Sequence, residues 1–347
     1  MNPSKGRVRR ASWFVAMLGA GSLVLASCGT TPVATPPRVD GTPATSISVP
    51  LSNVGCTRND VCVATGTSSE SLGVSAVAEF SSPKGHWFNL TLPAQHSPLL
   101  DATACSGTQC LLGGSRPGGD LLWSFNAKGN IVTTASPPAG GIGVDALTCG
   151  PVDCALIDTS ALGDTPRLSV SDDAGETWSA PIEMTWAKGD AVTAFTCSGL
   201  DACAVGALSP SHVVALYVTE DGGQTWTQRS TPSTWTGLTS LSCVVRRCVA
   251  LASENGTSLL VRSTTFTRTW KSVTLGEQAN ALACTTIECY VVGEHPDASA
   301  WLATEHDKVV ANVKLRYVPT ALLQVACGSK VCAAIGVTTL LSLPSPL

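Results

Sequence analysis

The sequence predicts an all-β fold: a single seven-bladed β-propeller of four-stranded antiparallel blades, with one hairpin disulfide per blade. Three observations predict it. Fourteen of the 15 cysteines fall into seven close pairs, and the first members of those pairs step by 49, 44, 48, 46, 41 and 43 residues. The composition is 44% hydrophobic and only 13% charged, with 32 Gly and 21 Pro. Self-similarity at a period of forty to fifty residues marks repeat architectures. Plentiful turn residues with little charge suit many short strands rather than a helical bundle or a disordered chain.

The chain opens with Lys5, Arg7, Arg9 and Arg10 and no acid, followed by an apolar run from Trp13 to Leu25. That run is too short and too rich in Gly for a membrane span, and it reads as an export signal. It ends in Leu25-Ala26-Ser27-Cys28. This resembles the lipobox of bacterial lipoproteins. The resemblance implies that the Cys28 thiol carries a diacylglycerol and that the chain is cut just before it. The expected organisation is therefore a lipoprotein signal peptide over 1–27, a Thr/Pro-rich tether over 28–45 and the propeller over 46–347. The expected location is the extracytoplasmic side of the cell membrane, held by the lipid. Removing the signal takes away four positive charges, which moves the net charge from −4 to −8. With no basic stripe, nucleic acid is excluded as a partner.

The cysteine pairs are Cys56/Cys62, Cys105/Cys110, Cys149/Cys154, Cys197/Cys203, Cys243/Cys248, Cys284/Cys289 and Cys327/Cys332. In an oxidising compartment such pairs form disulfides. Zinc is disfavoured, because the pairs stand about 45 residues apart and no His shares their spacing. Neither a metal nor a cofactor is expected. Each bridge spans a turn of four or five residues between the first two strands of a repeat, where cross-strand neighbours are close enough to join. Loops this short contribute about 2 kcal/mol each through the unfolded chain. In the second repeat the strands read as Leu100–Cys105, Cys110–Gly113, Leu121–Phe125 and Ile131–Ala135. Before each first cysteine, small residues alternate with apolar ones, as in Ala102-Thr103-Ala104 and Ala281-Leu282-Ala283, which suits an innermost strand crowded around an axis. The last repeat runs out after three strands. Ser46–Leu51 is expected to supply the fourth and to close the ring, so that no edge stays open.

Two repeats carry a further motif. Ser171, Asp173, Gly175, Thr177 and Trp178 form one copy, and Thr219, Asp221, Gly223, Thr225 and Trp226 the other. A worn copy runs from Ser263 to Trp270, with Thr265 in place of Asp and Thr267 in place of Gly. The spacing S/T-x-D-x-G-x-T-W resembles the Asp-box of sialidase-like repeat proteins. The chain is also similar to the photosystem II assembly-factor type of propeller. In Asp-box proteins the motif serves the fold, away from any active site. The Asp accepts backbone N–H groups, the Gly takes a left-handed conformation and the Trp packs. Sialidase chemistry would need an arginine triad and a Tyr nucleophile with a Glu. Tyr217, Tyr290 and Tyr317 do not sit in such a setting.

Topology puts the disulfide turns and Asp-boxes on one face, and the loops between second and third strands on the other, where binding loops are expected. Four residues before each first cysteine stand Ser52, Asp101, Asp145, Thr193, Thr239, Asn280 and Leu323, six of them polar. Asp101, Asp145 and Asn280 are candidate ligand-binding residues at the channel mouth, for a cation or polar ligand. Glu294 and His295, with Glu254 in the preceding repeat, form a second candidate. His96, His212, Trp186 and Trp235 also fall in loops of this face. Together these features predict a monomeric, lipid-anchored, non-catalytic module that binds proteins or polymers. The alternative is a glycan-cleaving hydrolase with two converging carboxylates.

Overall fold

The computed structural model describes residues 42–43 and 50–344, apart from 71–72, 82–86, 91, 93–97, 108, 127–130, 135, 162–164, 245, 307–308, 314, 316–317, 319 and 338. Cys28, the tether before Thr42, His96 and Tyr317 lie outside the described residues.

The strands form four-stranded antiparallel sheets in which sequence neighbours pair. The innermost strands are Leu51–Cys56, Leu99–Cys105, Gly141–Cys149, Ala191–Cys197, Trp235–Val244, Gln278–Cys284 and Leu322–Cys327. Each touches the inner strand before it and the one after it, and the last touches the first, so the sheets close a ring. The fold is an all-β propeller.

The expectation of seven equivalent blades is corrected. Consecutive strands complete six blades, which begin at Leu51, Leu99, Gly141, Ala191, Trp235 and Gln278. The remaining sheet is composite. Its three inner strands are Leu322–Cys327, Val331–Gly336 and Thr339–Pro344, and the outer edge is taken by the two residues Thr42 and Pro43, paired with Ser342 and Leu341. The closing strand is therefore not Ser46–Leu51, because Leu51 already belongs to the inner strand of the first blade, opposite Gly66. A Pro-bearing pair of residues suits such an edge, where one side of the strand donates nothing to a neighbour.

Ring closure also uses Asp60, in the first blade's disulfide turn. Its Oδ1 accepts the backbone N–H groups of Lys330 at 2.7 Å and Val331 at 3.1 Å. The core lies between blades. Leu216 and Val218 of the fourth blade pack with Leu238 and Val261 of the fifth, and Leu51 and Ala64 of the first pack with Ala333 and Ile335 of the closing sheet. No helix among the described residues is long and apolar enough to cross a membrane.

The seven disulfides join Cys56–Cys62, Cys105–Cys110, Cys149–Cys154, Cys197–Cys203, Cys243–Cys248, Cys284–Cys289 and Cys327–Cys332. Each bridge joins residues directly opposite in the ladder. In the second blade the next pair outward is hydrogen-bonded, Ser106 N–H donating to Gln109 O at 2.7 Å. Cysteines beside such a pair occupy a non-hydrogen-bonded site, where strands approach most closely. Strands of the second blade also run longer than the sequence pattern suggested: the second extends to Arg116 and the third starts at Gly119, around a tight turn with Gly118 at φ 99°.

Candidate functional site

The two ends of the channel differ in chemistry because the inner strands are irregular at one end only. Every inner strand slips register at the residue four before its first cysteine, Ser52, Asp101, Asp145, Thr193, Thr239, Asn280 or Leu323, and the inner strands of the third and fifth blades slip once more nearer their starts. A bulge leaves one residue unpaired and re-aims its side chain. In the second blade the bulge draws the inner strand over Gly114, where a Cβ would meet Leu99 O at 1.9 Å. The ring of polar positions seen in the sequence is thus a ring of bulges.

Four of those residues, Asp101, Asp145, Thr193 and Thr239, line a recess of about 220 Å³ at this mouth, joined by Asn53 and Gln324 one position further along their strands. Asp145 Oδ2 accepts the Thr159 hydroxyl at 2.7 Å. Thr193 Oγ1 is buried without a partner. Asp101 and Asp145 open onto the recess, yet the surrounding protein strips enough solvent from both to raise their carboxyl pKa above the usual range; Asp158 and Asp101 push Asp145 further in the same direction. Asn280 plays another part. Its Nδ2 donates to Leu322 O at 2.9 Å and so ties the sixth blade to the closing sheet.

Three charged residues behind this mouth escaped the sequence reading. Asp158 is fully buried and pairs with Arg167 across the third blade, Nε–Oδ1 at 2.6 Å and Nη2–Oδ2 at 2.8 Å. Arg167 also donates to Ala139 O at 3.1 Å. Burial pushes Asp158 upward and the two guanidinium bonds push it back. Asp120, at the start of the second blade's third strand, is 6% exposed, and neither carboxylate oxygen has a hydrogen-bond partner of good geometry. It lies so close over Gly141 that a Cβ there would meet its Oδ2 at 2.0 Å. Burial first, then the charges of Asp158 and Asp145, raise Asp120 to about 6; Arg167 and the Gly143 amide counteract in part.

The second candidate group does not assemble as one site. His295 Nδ1 meets Glu277 Oε1 at 3.1 Å and borders an apolar-floored cleft of about 360 Å³ with Trp301, Asn312 and Val318. Glu294 pairs with Gln278 and Ala300 in its own blade, and Glu254 with Trp235 and Thr257 in the fifth. The loop aromatics pack between blades. Trp186 of the third blade lies tilted against Tyr217 of the fourth at 3.7 Å between ring centroids, and Trp235, in the fifth blade's inner strand, packs on Val214 and Leu216 of the fourth and meets Trp270 of its own blade edge-on at 6.2 Å. His212 is exposed in a turn at φ 60°.

The opposite mouth is a wider cup of about 730 Å³, ringed by the first cysteine of all seven pairs and by Ser and Thr hydroxyls, with Arg58 as its one charged lining residue. The Asp-box turns lie on this face. Asp173 Oδ1 accepts the Ser171 hydroxyl at 2.7 Å and Thr177 N–H at 2.8 Å, and Oδ2 accepts the Thr177 hydroxyl at 2.6 Å. Asp221 repeats this with Thr219 and Thr225. The Thr177 and Thr225 bonds hold the two carboxyls down at about 2. Gly175 and Gly223 sit at φ 91°, and a Cβ at either would meet Leu111 Cδ1 or Leu168 Cδ2 of the preceding blade at 2.5 Å. Trp178 and Trp226 pack into the same seams. These motifs therefore wedge blades together.

No protein-family model and no curated protein sequence matches the chain. Solved structures do. YCF48 bound to D1 peptide superposes with a TM-score of 0.60 at 11% identity, over 91% of this chain and all of that one. The β-propeller domain of Myceliophteria thermophila Cps50 (Swd1) gives 0.60 at 11%, over 89% and 100%. Virginiamycin B lyase from Staphylococcus aureus gives 0.57 at 11%, over 89% and 99%. At these identities the likeness is one of fold alone.

Proposed function

We propose that this chain is a lipid-anchored propeller on the outer side of the cell membrane, a monomeric, non-catalytic scaffold that binds partner proteins. The observation that carries the reading is the size and lining of the recess at the bulged mouth. Ligand pockets for small molecules enclose about 300–1,000 Å³. A recess of about 220 Å³ bordered by carboxylates, hydroxyls and amides fits one side chain of a partner instead. It sits on a ring stapled by seven disulfides, which persist outside the reducing cytoplasm. A propeller of similar fold, YCF48, is described with a bound peptide, which supports the same use here. The Leu-Ala-Ser-Cys sequence supports the anchor.

Crosslinking in intact cells, followed by identification of the crosslinked proteins, tests the scaffold. A reproducible protein partner, absent when Cys28→Ala releases the chain from the membrane fraction, supports it. Recovery of the uncrosslinked chain alone, or a Cys28→Ala chain that stays membrane-bound, counts against it. One observation favours a second reading, a glycan-cleaving hydrolase: the carboxylates of Asp101 and Asp145 share the recess, and glycoside hydrolysis needs such a pair. Turnover of aryl glycosides that is lost in Asp145→Asn would establish that reading in place of the first.

A further inference from the structure

At the bulged mouth, negative charge gathers behind one sector. Four residues after the second cysteine, the second strand of each sheet carries Gly66, Gly114, Asp158, Ala207, Ala252, Gly293 or Gly336. All face the inner strand just before its bulge. Six are the smallest residues available, and the third blade alone places a carboxylate there. Asp120 of the adjoining blade is more than nine-tenths buried with no hydrogen bond of good geometry to either oxygen, and it points at Gly141 at the base of the strand that bears Asp145. Asp101 and Asp145 therefore stand in front of two more carboxylates. Arg167 pairs into this group through Asp158. Neither Asp101 nor Asp145 forms a salt bridge among the described residues. Earlier in the same two strands, towards this mouth, two aliphatic side chains face solvent, Leu99 at 40% and Ile142 at 52% exposure.

We propose that the mouth between the second and third blades docks a cationic segment of a partner protein, an Arg or Lys side chain entering the recess between Asp101 and Asp145 while its aliphatic neighbours lie on Leu99 and Ile142. The inference rests on the scaffold reading and names the chemistry of its partner. A guanidinium presents five donors in a fixed fork. The recess offers it the two carboxylates, the Thr193 and Thr239 hydroxyls and the amide oxygens of Asn53 and Gln324. Arg is enriched at the centres of protein interfaces, where a charge must be met by acceptors and ringed by apolar contact. A bare metal ion suits the site poorly, because no three His, Cys, Asp or Glu side chains among the described residues converge to hold one. Complementary charge also speeds encounter, so this contact should weaken with salt.

The test uses the full chain and a fluorescein-labelled pool of nonapeptides with a central Arg or Lys between varied aliphatic residues, read by anisotropy at low ionic strength. A second pool carries Glu at the centre. Saturable binding of the first pool alone is expected, reduced about tenfold or more by Asp101→Asn with Asp145→Asn and by added salt. Arg58→Gln, at the far mouth, should leave it unchanged. Equal binding of both pools, no saturable binding, full retention in the Asp101→Asn/Asp145→Asn variant, or displacement of the peptides by calcium at stoichiometric levels overturns the proposal. Repeating the cell crosslinking with that variant separates the two claims. Partners captured by the parent chain and equally by the variant refute this docking mode and leave the scaffold standing. Partners captured by neither refute the scaffold itself.

Discussion

Replacing Asp120 by Asn should make the protein more stable at neutral and alkaline pH, and leave it unchanged in acid. The carboxyl titrates near 6 in the fold, against an ordinary value of 3.8. Its folded pKa is raised, so the folded state holds the proton more tightly than the unfolded chain does. The stabilising contribution of that proton is complete below 3.8 and lost as pH rises through about 6. A shift of roughly two units, at 1.36 kcal/mol per unit, corresponds to about 3 kcal/mol by which ionised Asp120 burdens the fold above pH 7. Asn keeps the shape and removes the charge. Its unpartnered amide costs about what the protonated carboxyl's missing partners cost, and with the charge burden discounted for residual solvent screening the net gain at pH 8 is about 1–3 kcal/mol. For a domain this large that is a rise of about 2–6 °C in Tm. The assay is thermal unfolding of both chains, disulfides intact, from pH 4 to 8. Taking the difference between chains cancels the titrating groups that do not sense Asp120, including Asp173 and Asp221, whose lowered pKa values make them lose stability only in strong acid. A difference that is flat across this range, or a variant less stable at pH 8, would refute the assignment of an uncompensated charge at Asp120.

Three other substitutions test the packing. Gly175→Ala must hold Ala at φ 91° with its Cβ 2.5 Å from Leu111 Cδ1. The left-handed conformation and the overpacking together cost about 2–4 kcal/mol, read as a drop in denaturant midpoint; a midpoint equal to the parent's would show that the Asp-box turn is not wedged. Asp60→Ala removes two charge-assisted bonds across the ring closure, a loss of about 1–3 kcal/mol. It should speed amide exchange at Lys330 and Val331 first. Unchanged exchange there would place the closure elsewhere. Arg167→Met leaves Asp158 buried and alone, a loss of about 3–5 kcal/mol, whereas adding Asp158→Ala should restore stability to within about 1 kcal/mol of the parent. Denaturation of both variants checks this, and a double variant as weak as the single one would mean that the pair holds the blade together.

How much of this could be read beforehand depended on how directly each feature is written in residue type. The cysteine spacing sets the repeat, because a disulfide across a short turn admits only a hairpin. The Asp-box geometry followed equally directly from Asp173, Gly175 and Trp178. The closing sheet was misread because a two-residue edge such as Thr42-Pro43 leaves no periodic pattern, while Ser46–Leu51 resembles a strand. The bulges could be located but not recognised: a polar residue at a fixed place in an otherwise alternating strand looks the same whether it faces water or breaks the ladder. Asn280 looked like Asp101 and Asp145 in sequence, and only the acceptor at Leu322 O distinguishes it. Asp158 did leave a signal. Aligning the repeats on the second cysteine puts it in a column of glycines and alanines. Asp120 left none, since its burial depends on Gly141 in another blade.

The ring is built from repeats, so departures from the repeat show where the molecule is not merely holding itself together. On the disulfide face, the worn Asp-box keeps its turn, with Thr267 at φ 66° where Gly stands elsewhere, and the buried Glu305 of the sixth blade is met by Arg247 and Arg262 of the fifth. Those features all press one blade on the next, and stability accounts for them. At the bulged mouth the departures run the other way. A buried ion pair such as Asp158–Arg167 gives little net stability compared with the small residues used in the other sheets. An unpartnered carboxylate such as Asp120 lowers stability outright. Neither is explained by packing, and both border the strand that carries Asp145. Strained or destabilising groups gather where a protein meets something else, because only an outside contact offsets them. The sector between the second and third blades is therefore the part of this propeller whose chemistry the fold itself does not require.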